Sequence, residues 1–293
     1  VRRVKKLPGT SALVVAHSEQ EEVVEMKDNV YIVTRDRLDN LEKIIPRWLE
    51  QYFYVTLVIE HSEYMKHDAL IRGMGVYDDI AIISPKAENK GIGHARKYAV
   101  TNACLRGLRS FIMSDDDLRP HKDSVMADLV KEAEKPNVLG IGATRPLHDR
   151  FSHNMTRDRD DVIICPGGWG MQVFALNVRN TVDVGNFNPR LDCWGEDHEL
   201  MRDGIVCGFP WLVHCGVKCE PIGVRYDPGG LHSYIGKGNR SERELECRKL
   251  IYERWGNYVS KPDKRPRTAW ARMMDEYIPN WRSKSAIHGG EWQ

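Results

Sequence analysis

The apolar run Phe111-Ile112-Met113 passes without a break into Ser114-Asp115-Asp116-Asp117. Apolar residues followed at once by packed carboxylates read as a short buried strand with an acidic carboxyl end. Such an end is costly to bury, because like charges a few ångströms apart repel. The fold must therefore hold this edge open to something cationic. Clustered carboxylate oxygens suit Mg²⁺ or Mn²⁺, which in turn grip phosphate oxygens. A calcium loop is excluded, since its glycine and glutamate positions hold Pro120 and Met126. A solvated acidic turn is the plain alternative for the triplet taken alone.

The chain around the triplet has the alternation of an α/β sandwich from Asn29 onward. Val30-Tyr31-Ile32-Val33 reads as a strand. Asp39, with Glu42 as its capping partner, then starts a helix. Leu41, Ile44, Ile45, Trp48, Leu49 and Tyr52 fall on one face of it at helical spacing. Thr56 to Glu60 and Ala81-Ile82-Ile83-Ser84 supply further strands, with a looser helix between them. The turn Asn89-Lys90-Gly91-Ile92-Gly93 opens a helix from His94 to Cys104, and Phe111 to Ser114 is the fourth strand. Three β-α units thus deliver the triplet to the carboxyl edge of a mostly parallel sheet, where open α/β folds bind ligands.

The second half is less regular. Val138 to Ala143 reads as a strand with close backbone packing, and Val173 to Leu176 as another. The stretch 145–161 is crowded with charge and lacks periodicity, so a mobile loop is expected there. Glu196 to Met201 looks like a helix start, and Ser241 with Glu244 caps a late helix carrying Leu245, Leu250, Ile251 and Trp255. The expected organisation is an extension over 1–28 (an added strand and linker), a catalytic domain over 29–260 and a basic segment over 261–293.

With 293 residues and a net charge of +1, any polyanionic partner must be met by a local patch. The seven cysteines are odd in number and form no Cys-x-x-Cys pair, against a disulfide framework or a structural zinc site. Cys215 and Cys219 beside His214 imitate metal spacing but fit a buried strand and turn. No apolar run approaches membrane-spanning length and no secretory signal is visible, so no membrane partner and a cytoplasmic location are expected. The oligomeric state is not legible.

Three further features carry chemistry. The turn at Asn89–Gly93 lacks the third glycine of a dinucleotide fingerprint. It still offers amides and a positive helix end to phosphates, and Arg96, one turn in, can reach a diphosphate; an ordinary strand-helix turn is the alternative. Trp194-Gly195-Glu196-Asp197 places an acidic pair after a flexible joint, where it can project into a cleft or simply favour the helix dipole. Gly229-Gly230-Leu231-His232 offers a nitrogen ligand in a permissive loop, or a solvated histidine.

In this order the four elements resemble the GT-A glycosyltransferases, over about Asn29 to Ser260. Asp115-Asp116-Asp117 matches their Asp-x-Asp, and Asn89 to Arg96 looks like their Gly-x-x-x-Ala-Arg stretch. Glu196-Asp197 matches the acidic pair, and His232 looks like the late metal-ligand histidine. The resemblance implies a Rossmann-like α/β/α sandwich, a nucleotide-sugar donor (UDP-sugar) and Mn²⁺ or Mg²⁺. It further implies that Thr34, Arg35 and Glu60 flank the nucleoside and that Asn89, Gly91 and Arg96 serve the diphosphate. Asp115 and Asp116 would then serve the donor, with Asp117 and His232 on the metal, Asp197 as base and Glu196 on hydroxyl groups. Inversion is expected, because no residue stands out as a nucleophile. Within the superfamily, Ser-Asp-Asp-Asp, Trp-Gly-Glu-Asp and Leu-His-Ser resemble the glycosyltransferases associated with TET and J-binding-protein oxygenases. Those put sugar on 5-hydroxymethylpyrimidines in DNA, mainly in phages and kinetoplastids, which for a phage protein means the host cytoplasm. The basic segment after Ser260, with Trp270, Tyr277 and Trp281, fits a DNA acceptor. A saccharide or protein acceptor, a nucleotidyltransferase and a non-catalytic nucleic-acid-binding protein are the alternatives. The nucleotidyltransferase is disfavoured by Thr34-Arg35-Asp36-Arg37-Leu38, which has no glycine.

Overall fold

A computed structural model describes residues 4–6, 13–17, 20–24, 27–34, 37–59, 61–85, 91–144, 162–164, 172–192, 195–222, 240–256, 273 and 276–277. Before Asn29 the chain forms a three-stranded antiparallel sheet of β1 (Val4–Lys6), β2 (Leu13–His17) and β3 (Gln20–Val24). This is more sheet than the single added strand expected. Leu13 and Val14 lie opposite Val24 and Val23 in this register.

The main sheet begins with β4 (Asn29–Val33), β5 (Tyr54–Val58), β6 (Ile80–Ile83) and β7 (Ser110–Asp115). It continues with β8 (Leu118–Pro120), β9 (Gly140–Thr144), β10 (Val162–Ile164), β11 (Val173–Asn177) and β12 (Trp211–Pro221). Their order is β10-β12-β9-β11-β7-β4-β5-β6, with β8 paired to β12. The ladders from β6 through β5 and β4 to β7 are parallel, as is β9 with β12, while β11 runs antiparallel between β7 and β9. The helices are α1 (Leu38–Glu50), α2 (Tyr64–Met74), α3 (Gly91–Leu105), α4 (Ala127–Ala133), α5 (Val178–Asp183), α6 (Glu196–Val206) and α7 (Arg240–Trp255).

Tyr31, Ile32, Val55, Leu57, Phe111, Ile112, Met113 and Phe174 are fully buried in the sheet's core. Burial of a large apolar side chain contributes about 1.5–3 kcal/mol, so this continuous seam fixes where the strands end. α1 covers it with Leu41, Ile44, Ile45 and Trp48. Two details of α1 differ from expectation. It begins at Leu38, because the Arg37 carbonyl already accepts from Asn40 and Leu41, so Asp39 sits inside the first turn rather than capping it. Tyr52 leaves the apolar face: it follows the helix end with φ of 63° and is exposed. α7 likewise starts at Arg240, one residue before the expected cap at Ser241, and Glu244 pairs with Arg248 instead.

Cys215 and Cys219 lie on β12, as a strand reading requires. Within the basic C-terminal segment, Met273 is fully buried and Tyr277 packs partly buried against the same core, so part of that segment belongs to the globular body. Among the described residues no helix is long and apolar enough to cross a membrane. The stretch 145–161 lies outside the described residues.

Candidate active site

The three consecutive aspartates have three different surroundings. Asp115, last residue of β7, accepts a bond from Arg96 Nη2 at 2.9 Å. Asp116 is buried and accepts from Thr34 Oγ1 at 2.8 Å and Arg37 Nη1 at 2.9 Å. Asp117 faces outward, with Oδ2 at 3.6 Å from Arg37 and Oδ1 buried without any hydrogen-bond partner. Burial pushes the Asp115 carboxyl up to about 6 against the pull of Arg96. Burial likewise takes Asp116 to about 7, opposed by Arg37 and the Thr34 hydroxyl. Thr34 stands at the end of β4, one place beyond Val33, which pairs with Asp115. The parallel ladder thus brings the β4 and β7 ends together.

The turn into α3 is built for backbone packing. Gly91 has φ of 77°, and a Cβ there would collide with the Asp192 backbone; one on Gly93 would strike the carbonyls of Asn188 and Leu191. Two of the amides expected to be free for phosphate are taken: Ile92 N–H donates to Asp192 O at 3.0 Å and Gly93 N–H to Leu191 O at 3.2 Å. Gly91 therefore serves to seat the 188–192 segment. Arg96 also differs from the expected phosphate contact. It is 3% exposed, and both terminal nitrogens bind carboxylates, Nη1 donating to Glu196 Oε1 at 2.8 Å and Nη2 to Asp115. Burial opposes its charge, but Glu196, Asp115 and Asp197 more than offset this and hold it protonated. The rings of Phe174 and Phe187 lie 5.4 and 5.9 Å from the guanidinium carbon.

Arg96 thereby joins the strand-end acids to the helix-start acids. Gly195, at φ of 85°, is the left-handed residue before α6, and Glu196 and Asp197 form its first turn. Burial pushes the Glu196 carboxyl above the usual carboxylate range, with Arg96 opposing and Asp197 adding to the rise. Asp197 Oδ1 accepts from the His198 N–H at 2.7 Å, and no cationic side chain pairs with Asp197 among the described residues.

Solved structures share the fold that carries these residues. The chain is similar to GalNAc-T7 with UDP, GalNAc and Mn²⁺ at 14% identity and a TM-score of 0.58, over 80% of this chain and 49% of that one. It is similar to the mannosyltransferase PcManGT of Pyrobaculum calidifontis in complex with GDP-Man and Mn²⁺ at 18% identity and a TM-score of 0.56. That match covers 90% of this chain and 76% of the mannosyltransferase. The chain has the GT-A fold. It spans about half the length of GalNAc-T7. No family model and no curated protein matches the sequence.

On this GT-A framework the strand-end acids can be tested as a cation site. The orphaned Oδ1 of Asp117 is a hard oxygen with no protein donor, which suits a divalent ion held by one or two carboxylates plus phosphates and water. Among the described residues no group of three or more His, Cys, Asp or Glu is arranged to hold a metal. The chain leaves β12 beside the triplet, Ile222 N–H donating to Asp117 O at 3.0 Å. His232, ten residues further on, lies outside the described residues, as do Arg35, Glu60 and Asn89. Sequence reasoning passed over Arg37, although Thr34-Arg35-Asp36-Arg37 was in view. It also missed Asp192, Arg243 and Arg254, which have no local signature because their partners are distant in sequence.

Proposed function

We propose that this protein is a metal-dependent, inverting glycosyltransferase that moves sugar from a nucleotide-diphosphate donor, best a UDP-sugar, to an acceptor hydroxyl. The observation that carries the reading is the Arg96 bridge, which holds Asp115 and Glu196 on one guanidinium and so sets the two acidic clusters side by side. Both fold relatives were solved with a nucleotide or nucleotide sugar and Mn²⁺.

In this reading Thr34, Arg35 and Glu60 flank the nucleoside, and Asp115 binds a ribose or sugar hydroxyl. Asp116 ties the β4 and β7 ends together through Thr34 and Arg37. Asp117 and His232 hold Mn²⁺ or Mg²⁺, which when bound supplies Lewis-acid neutralisation of the leaving diphosphate. Asp197 takes the acceptor proton on Oδ2, since Oδ1 is engaged by the His198 amide. Glu196 orients hydroxyl groups, with one oxygen fixed by Arg96. The acceptor oxygen attacks the anomeric carbon as the diphosphate leaves, inverting that centre.

For the acceptor we propose 5-hydroxymethylpyrimidine in DNA, extruded from the stack for reaction. Support comes from the basic, aromatic composition of 261–293 and from the resemblance of the acidic motifs. The test is a panel of nucleotide sugars with and without Mn²⁺, offered hydroxymethylated and unmodified oligonucleotides. Mn²⁺-dependent transfer to the modified oligonucleotide alone is expected. Transfer to a saccharide or protein hydroxyl instead would retire the DNA acceptor and leave the glycosyltransferase. No donor turnover under any condition would retire both.

A further inference from the structure

We propose that α7 is a brace that aims the Glu196-Asp197 pair, with Arg243 and Arg254 as positioning residues. The catalytic part of this proposal rests on the glycosyltransferase reading. Arg243, Cys247, Ile251 and Arg254 recur at helical spacing and so share one face of α7. Every one of them grips the chain immediately before or after the acidic pair. Arg243 Nε donates to Asp192 Oδ2 at 2.9 Å, Arg243 Nη2 also donates to that oxygen, and Cys247 Sγ contacts Asp192 Oδ1 at 3.6 Å. Ile251 packs with Leu191 and Cys247 and lies against Gly195, leaving no room for a Cβ there. Arg254 donates to Glu199 Oε1 at 2.8 Å and Asp203 Oδ1 at 2.7 Å.

The pair is thus held from two sides. α3 fixes the carbonyls of Leu191 and Asp192 through its first amides, while α7 fixes the Asp192 side chain, the Gly195 joint and the acids one and two turns into α6. The charge pattern has the same logic. α6 carries Glu196, Asp197, Glu199 and Asp203 in its first eight residues. Arg96 pairs with Glu196 and Arg254 with Glu199 and Asp203, while Asp197 makes no ion pair among the described residues and feels Arg96 only at longer range. A left-handed glycine is a free joint, and without the α7 grips the first turn of α6 keeps Arg96, the α3 amides and its core packing but loses the restraint on the Gly195 side.

The test compares wild type, Arg254→Met, Arg254→Lys and Arg243→Gln. Arg254 is half exposed but its partners Glu199 and Asp203 are buried, so circular dichroism and urea midpoints of each variant are taken first. Arg254→Lys, which keeps the charge, and Arg243→Gln, whose partner Asp192 is more exposed, keep the test readable if Arg254→Met fails to fold. Amide hydrogen exchange over 195–203 should accelerate in Arg254→Met and Arg243→Gln, with β7 amides unchanged and Arg254→Lys close to wild type. Sugar transfer should lose about ten- to a hundred-fold in kcat, the scale of a small misplacement. Donor KM and nucleotide-diphosphate affinity in Mn²⁺ should stay within two-fold. Unchanged exchange and unchanged kcat in both variants would overturn the brace, as would equal acceleration over β7. Local acceleration with a wild type that transfers no sugar would uphold the brace and sink the catalytic reading alone.

Discussion

The carboxyl end of β7 and the amino end of α6 both crowd acids together, and they dispose of the charge differently. At the strand end, Asp115 is matched by Arg96 from α3, and Asp116 by Thr34 at the end of β4 and Arg37 at the start of α1. At the helix start the dipole favours carboxylates outright, and Arg96 and Arg254 complete the balance. Among the described residues each cluster leaves one acid without a hydrogen-bonded cationic side chain, Asp117 having Arg37 only at 3.6 Å. Asp117 keeps a buried oxygen with no donor, a place for a hard cation. Asp197 has Oδ1 on its own helix backbone, and Oδ2 is the oxygen we assign to the proton. The same side chain is prepared for two tasks by what its neighbours consume.

That contrast is broken most directly by exchanging the two outward acids. Asp197→Asn keeps shape and removes proton-accepting power, so transfer should fall by roughly a hundred- to ten-thousand-fold. Donor binding should survive, as isothermal titration with nucleotide diphosphate and Mn²⁺ would record. Asp117→Ala should do the reverse, abolishing Mn²⁺-dependent nucleotide binding itself. If Asp197→Asn transfers within a few-fold of wild type, the proton goes elsewhere, with Glu196 the next candidate. If Asp117→Ala binds nucleotide normally in Mn²⁺, the division of labour is wrong.

Among the described residues Arg96 is the one that bonds acids of both clusters, and its loss should be felt in stability. Arg96→Met keeps the aliphatic bulk between Phe174 and Phe187 but leaves Glu196 and Asp115 buried without their cation. Breaking a buried pair from one side costs about 3–5 kcal/mol, measurable as a lower urea midpoint. A midpoint unchanged from wild type would mean that the acids relax to water and that the bridge is incidental.

The parallel half was legible because its strands are buried on both faces and read as unbroken apolar runs, as in Val30 to Ile32 and Phe111 to Met113. The second half was not. α4 and α5 have seven and six residues, too short for a helical period to declare itself. β12 is irregular between His214 and Lys218, which breaks alternation along the strand. Among the site residues, both acidic clusters were visible because their members are adjacent in sequence. The partner of Arg96 was not, since Glu196 lies 100 residues away and nothing local announces the pair. The glycines at Gly91 and Gly93 were visible as a turn. The amides of Ile92 and Gly93 in that turn nevertheless donate to the carbonyls of Asp192 and Leu191, a use only tertiary packing reveals.

The smallest effect sharpens the comparison at the helix end, where burial rather than the site's own chemistry sets the charge. Burial pushes the Asp203 carboxyl from 3.8 up to about 7, Glu199 adds to the rise, and Arg254 and Arg202 oppose it. The folded state therefore holds this proton more tightly than the unfolded chain does. Its stabilising contribution is complete below about pH 4 and is lost as pH rises through about 7. Asp203→Asn stays neutral throughout, so its melting temperature should fall less than that of wild type between pH 5 and pH 8. Asp115, Asp116 and Glu196 are raised in the same direction and remain, so the slope should flatten rather than vanish. Parallel melting curves for wild type and Asp203→Asn across that range would show that Arg254 already holds Asp203 charged. The balance at the helix end would then be made by pairing, as at the strand end, and the contrast between the two clusters would narrow to their outward acids.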